Sequence, residues 1–203
     1  QGLNRFRIFD VKLKTWRDVS FPERVYAAFP GGTPEYTSPS FRFSYQSMVT
    51  PASIYDFDMA QGRSILLKRQ EVVGGYDPAN YASERLWATA RDGVKVPLSI
   101  VTRKGFQRDG KAPLWLYAYG SYGFPTAAGF NSNNLSLLDR GFAFAIAHVR
   151  GGNELGESWH DDGMLMKKKS TFFDFIDCAE FLVKERWTSK ERLVIHGGSA
   201  GGL

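Results

Sequence analysis

Arg192-Leu193-Val194-Ile195-His196-Gly197-Gly198-Ser199-Ala200-Gly201-Gly202 is the stretch on which the fold turns. An apolar run of strand character, Leu193-Val194-Ile195, leads into a serine with glycines two residues before and two after it. In a G-x-S-x-G turn the serine sits at a strained strand-to-helix junction, and its hydroxyl stands clear at the carboxyl end of a sheet. Glycines leave room there for two backbones to approach closely. Glycine and serine also dominate ordinary turns, so the strand before the pentapeptide is what favours a nucleophile elbow. A phosphate loop requires Lys after its second glycine, and Leu203 stands after Gly202.

Outward from the elbow, residues 171–186 carry Phe172, Phe175, Ile176, Ala179 and Leu182 at helical spacing, and Thr171-x-x-Asp174 predicts a capping box at the helix start. Residues 114–119 and 142–147 are nearly continuous apolar runs, as in strands buried on both faces of a mostly parallel sheet. A short helix is predicted over 134–139 between them. Residues 86–90 and 96–101 predict a hairpin turned at Arg91-Asp92-Gly93. Strand, helix, strand and elbow in this order make an α/β hydrolase layout. Residues 1–70 show a different periodicity: short alternating segments at 5–9, 14–19, 41–45, 53–59 and 64–68, the last two joined by a turn at Ala60-Gln61-Gly62-Arg63, predict a sandwich, barrel or propeller blade. The Gly/Pro-containing stretch in residues 71–80 is the expected linker, and residues 81–203 the second domain.

Composition sets the outer bounds. The 203 residues are 43% hydrophobic and 23% charged, which suits ordinary globular material long enough for one domain or parts of two. No apolar run approaches membrane-spanning length, so no membrane partner is expected. The net charge of +5 raises the question of nucleic acid, but Lys167-Lys168-Lys169 is the only basic run of three and no binding module accompanies it. A solvated face is the expectation for that run, with no nucleic-acid partner. The single Cys178 permits no internal disulfide, and its place in an apolar helical pattern makes it a buried small hydrophobe.

Two further glycine-rich loops follow the inner strands. Tyr119-Gly120-Ser121-Tyr122-Gly123 lies where a hydrolase of this layout places an oxyanion donor; the Ala200 amide after Ser199 would be a second donor, and the Tyr119 hydroxyl could complete the pair. The alternative is that Tyr119 and Tyr122 are loop aromatics covering the sheet end. Arg150-Gly151-Gly152-Asn153-Glu154-Leu155-Gly156 departs from the dinucleotide pattern at its third residue, and Arg150 is expected to pair with Glu154 and hold the loop. His160-Asp161-Asp162 reads as surface, with no metal expected.

Tyr119–Gly123, residues 136–142, His148-Val149-Arg150-Gly151-Gly152 and residues 197–202 together resemble the prolyl oligopeptidase family of serine peptidases, and within it the oligopeptidase B branch, since Ala follows the serine where the proline-specific branch usually has Asn. That resemblance implies a fragment: residues 1–70 as the last part of a β-propeller, and 81–203 as the N-terminal half of an α/β-hydrolase peptidase domain. It maps Ser199 to the nucleophile and Tyr119 and the Ala200 amide to the oxyanion hole. The family's Asp and His would lie beyond Leu203, so the chain alone is expected to be inactive. It implies no cofactor, short peptides as substrates and a cytoplasmic location, with the periplasm as alternative; oligomeric state stays open. Cleavage after basic residues would fit the branch, yet Phe124-Pro125-Thr126-Ala127-Ala128-Gly129 lacks the acidic residues usual there. The alternatives are a proline-specific oligopeptidase, an acylaminoacyl peptidase or an esterase on the same fold, or a non-catalytic binding protein.

Overall fold

The computed structural model describes residues 2–203. They form two compact units, one of residues 3–76 with 128–130, the other of residue 2 with 77–127 and 131–203. In the first, β1 (Arg7–Asp10) and β2 (Thr15–Asp18) make an antiparallel ribbon. β3 (Tyr26–Pro30), β4 (Ser40–Ser47), β5 (Ser53–Asp58) and β6 (Arg63–Arg69) then pair antiparallel in chain order. Alternation along β4 buries Phe43, Tyr45 and Ser47, as the two-residue side-chain period requires. Phe6 packs edge-on against Phe41 and Phe43 with centroids 5.1 and 5.6 Å apart. The β5–β6 turn falls at residues 60–63 as read: the Asp58 carboxylate accepts the N–H groups of Ala60 and Gln61, and Gly62 supplies a φ of +70°. β3 was not legible, because Tyr26-Ala27-Ala28-Phe29-Pro30 neither alternates nor has strong strand propensity. It forms by pairing with β4 over five residues and by burying Ala27 and Ala28.

The second unit is built on a sheet in the order β11-β9-β10-β8-β7, with β7 (Tyr81–Thr89), β8 (Lys95–Arg103), β9 (Leu114–Tyr117), β10 (Ala143–Ala147) and β11 (Leu193–His196). β9, β10 and β11 run parallel, and the hairpin β7–β8 is antiparallel to them through β8. Leu98, Leu114 and Leu116 are fully buried, each stabilising the fold by roughly 1.5–3 kcal/mol relative to exposure. Among the described residues three α-helices connect the strands: α1 (Leu135–Leu138), α2 (Glu157–Asp161) and α3 (Lys169–Lys184).

The start and buried face of α3 differ from the expectation. The helix begins at Lys169 behind Lys168, and no side chain caps it. Thr171 instead donates its hydroxyl to Arg150 O at 2.7 Å, and the Asp174 carboxylate grips Arg150, so neither is free to build a capping box. The buried positions are Thr171, Asp174, Asp177, Cys178 and Leu182, whereas Phe172 and Ile176 are 38% and 43% exposed. Polar partners, not hydropathy, set which face turns inward: Arg150 satisfies Asp174, and the Arg91 backbone N–H and guanidinium both reach Asp177 at 2.7 Å. Cys178 is buried and unpaired as expected, and burial pushes its thiol pKa well up.

Candidate active site

Strand register brings the predicted site residues to one end of the sheet. Tyr117 of β9 is level with Ile146 of β10 and His196 of β11, so the loops that follow all three emerge side by side. The chain passes from β9 to β10 in one direction and returns across β9 to reach β11. Such a reversal opens a crevice beyond the carboxyl ends of the strands, the usual site location in an open α/β sheet.

The turn after β11 has the strain that an elbow requires. Ser199 has φ of +54°, one of five non-glycine residues with positive φ among those described, a conformation that costs roughly 1–3 kcal/mol and persists only where its surroundings impose it. A Cβ at Gly197 would collide with Gly201 O, and one at Gly201 would lie 2.9 Å from Ala118 O and 3.0 Å from Tyr119 Cα. Only glycines therefore let the turn close on itself and on the β9 loop. Ser199 is exposed, begins a short 3-10 turn to Gly202, and makes no side-chain hydrogen bond among the described residues. The histidines are engaged elsewhere: His196 lies against the rings of Trp115 and Tyr117, His160 Nδ1 is 3.2 Å from Gly151 O, and His148 Nε2 is 2.7 Å from Ser99 Oγ.

Tyr119 is the residue of the β9 loop that meets the elbow, with Cδ2 at 3.2 Å from a Cβ position on Gly201. Its ring stands edge-on to Phe124 at 6.0 Å. A hollow of about 430 Å³ on one side of it is lined by Lys168, Phe172, Ile176, Gly197 and Ala200. Another of about 370 Å³ is walled by Tyr117, Tyr122, Phe124, Thr126 and Ala127, with no carboxylate. Gly120, at φ +62°, has no room for a Cβ beside Thr171 Cγ2 and Val149 Cγ2. Lys168 Nζ donates to Gly120 O at 2.5 Å and Ser121 Oγ at 2.8 Å, and burial pushes its pKa down. The basic run 167–169 is thus no uniform solvated face: Lys167 pairs with Asp162 at 2.8 Å, Lys169 is exposed, and Lys168 turns inward. Nothing in a Lys triplet distinguishes its middle member.

The loop after β10 does not hold itself by the expected Arg150–Glu154 pair. Arg150 Nε and Nη2 donate to Asp174 at 2.9 and 2.6 Å, and Nη1 meets Asp92 at 2.7 Å; the hydrogen bond to Asp174 is the main cause that raises the guanidinium pKa. Asp92 is held below the usual carboxylate range chiefly by Arg150. Both partners lie far along the chain, beyond any local spacing rule. Glu154 instead accepts the Thr126 N–H at 2.8 Å and lies 3.5 Å from His148 Nδ1. That approach would be an ion pair only with a protonated ring, and burial holds the His148 pKa below its ordinary value despite Glu154, so the contact is to a neutral imidazole. Arg85, pushed down to about 10 by burial, donates to Ser99 at 2.8 Å and completes the buried polar cluster.

The family model described as the N-terminal β-propeller domain of prolyl oligopeptidase matches residues 1–70, and that described as the prolyl oligopeptidase family matches residues 128–203. Dipeptidyl aminopeptidase BI of Pseudoxanthomonas mexicana is 48% identical over 91% of this chain and 26% of its own length, and Protease 2 of Moraxella lacunata 38% over 92% and 27%. The solved oligopeptidase B of Leishmania major superposes with a TM-score of 0.87 at 38% identity, covering 98% of this chain and 29% of that one. The chain therefore spans about a quarter of the length of the curated relatives it matches. Its four-stranded sheet is part of a β-propeller, and its mixed sheet is part of an α/β hydrolase. No helix among the described residues is long and apolar enough to cross a membrane.

Proposed function

The chain belongs to the prolyl oligopeptidase family, and from that premise we propose that its parent is a serine peptidase acting on short peptides through an acyl-enzyme on Ser199. The observation that carries this reading is the positive φ of an exposed Ser199 in a turn closed by Gly197 and Gly201 against Tyr119. The Ser199 hydroxyl attacks the peptide carbonyl; the Tyr119 hydroxyl and the Ala200 N–H donate to the oxyanion of the tetrahedral intermediate; the amine leaves, and water releases the acyl group. The three histidines of this stretch are each engaged with other groups, which supports a general base for Ser199 other than these. The boundary between propeller and peptidase parts is taken at residues 71–80. A cytoplasmic setting accords with the single buried, unpaired cysteine.

Aromatic walls around Tyr119 without a carboxylate support a weakened demand for a second basic residue beside the cleaved one. The test is a panel of peptides varied at the cleaved residue and the one before it, compared by kcat/KM on the full-length protein. Turnover of peptides with Arg or Lys at the cleaved bond, with little selection at the residue before, is expected. Selection for proline would move the protein to the proline-specific reading, and hydrolysis of esters without peptides to the esterase one. Tyr119→Phe should lower kcat by about 10²-fold with little change in KM; an unchanged kcat would return Tyr119 to a loop aromatic.

A further inference from the structure

We propose that Lys168 is a positioning residue for the oxyanion hole, holding the β9 loop in the conformation that aims the Tyr119 hydroxyl. This rests on the reading of Tyr119 above. The geometry is specific. Two of the three ammonium protons are committed to the two residues that follow Tyr119, at Gly120 O and Ser121 Oγ, and the ammonium lies 6.0 Å from the centroid of the Phe172 ring on the same wall of the crevice. Lys168 is not bound to a carboxylate there; its charge goes to a backbone carbonyl and a hydroxyl. A charge-assisted bond to a carbonyl is among the stronger ones available, and the carbonyl it fixes is that of Gly120, the residue after Tyr119.

Other contacts hold the same stretch of the loop from the β10 side. Gly120 is packed from one side by Thr171, Val149 and Arg150 O, and Gly123 N donates to Gly151 O at 3.0 Å. Those contacts fix where the loop lies. The Gly120 carbonyl itself lies against the Gly151 backbone, where a Cβ on Gly151 would collide with Gly120 O, and among the described residues Lys168 is the side chain that donates a hydrogen bond to it. Tyr119 lies against Gly201 and is continuous with the segment that Lys168 ties to α3, and a displacement of about 1 Å at a reacting centre can cost on the order of 10²-fold in rate. Lys168 at the front of α3 adds a charge-assisted restraint to that packing.

The experiment uses the full-length protein and four variants: Lys168→Met, Lys168→Arg, Tyr119→Phe and the double variant Lys168→Met/Tyr119→Phe. Lys168→Met should lower kcat by about tenfold or more with KM within a factor of about two. Lys168→Arg, which keeps the charge and the donors, should recover most of the loss. The double variant should be no slower than Tyr119→Phe alone, because a residue that acts through Tyr119 has nothing left to position. Additive losses, or an Lys168→Met enzyme with unchanged kcat, would overturn the proposal while leaving the Tyr119 reading intact. An inert Tyr119→Phe would overturn both. Should Lys168→Met fail to fold, Ser121→Ala removes one of the two acceptors with little disturbance: a drop in kcat without a rise in KM supports the restraint, and an unchanged kcat refutes it.

Discussion

Two glycine-rich loops at the same end of the same sheet have opposite characters. The elbow after β11 exposes its one functional side chain, Ser199, on a strained backbone and gives it no hydrogen bond among the described residues. Two strand positions away in the order β11-β9-β10, the loop after β10 buries Arg150 and the Glu154 side chain and engages each with a named partner. Both contain two adjacent glycines, Gly197-Gly198 and Gly151-Gly152, so glycine content marks close backbone approach and not chemistry. What separates them is satisfaction: a reactive group is left exposed and underbonded, whereas a structural one is buried and paired. The first loop should therefore fail by losing activity, and the second by losing stability.

The sharpest break of that contrast is at Asp174. Asp174→Ala leaves the Arg150 guanidinium buried without its bidentate partner, and such removals cost about 3–5 kcal/mol. Hydrogen exchange at the amides of β10 and α3 should show local opening easier by that amount; a change below about 1 kcal/mol would mean that Asp92 alone satisfies Arg150. Next comes Gly197→Ala. Its Cβ would meet Gly201 O, which forces the elbow to shift, and kcat should fall by about 10²-fold while exchange in β10 is unchanged. An active Gly197→Ala enzyme would show that the turn is not held as tightly as its geometry implies.

The smallest expected effect is one of pH. Burial lowers the His148 pKa from its ordinary 6.5, so the folded ring refuses a proton that the unfolded chain accepts. The resulting stability is fully present above pH 6.5 and is lost as pH falls toward the depressed folded value, at up to about 1.4 kcal/mol per pH unit. Thermal unfolding from pH 7.5 to 5 should thus show an acid slope that His148→Gln flattens by one proton's worth. An equal slope in the variant would place that titration on another group.

Most of the architecture could be read from residue order because it rests on local signals. Apolar runs at 114–119 and 142–147 became the inner parallel strands, Arg91-Asp92-Gly93 became the β7–β8 turn, and the elbow followed its strand. The errors share one cause. Thr171 and Asp174 have capping-box spacing, Arg150 and Glu154 have salt-bridge spacing, and Lys168 sits in a charge run, but each was claimed by a partner distant in sequence. Where a side chain's strongest partner lies more than about a turn away, spacing points to the wrong neighbour. β3 was missed for a related reason, since only its pairing with β4 makes Ala27 and Ala28 strand residues.

The most direct test is to react the full-length protein with a fluorophosphonate and map the adduct by peptide mass spectrometry, alongside the Ser199→Ala variant. A single adduct on Ser199 is expected, absent from the variant, whose peptidase kcat should fall by at least about 10⁴-fold. An adduct on another serine, or a Ser199→Ala protein that still cleaves peptides at an appreciable rate, would contradict the assignment of Ser199 as the nucleophile.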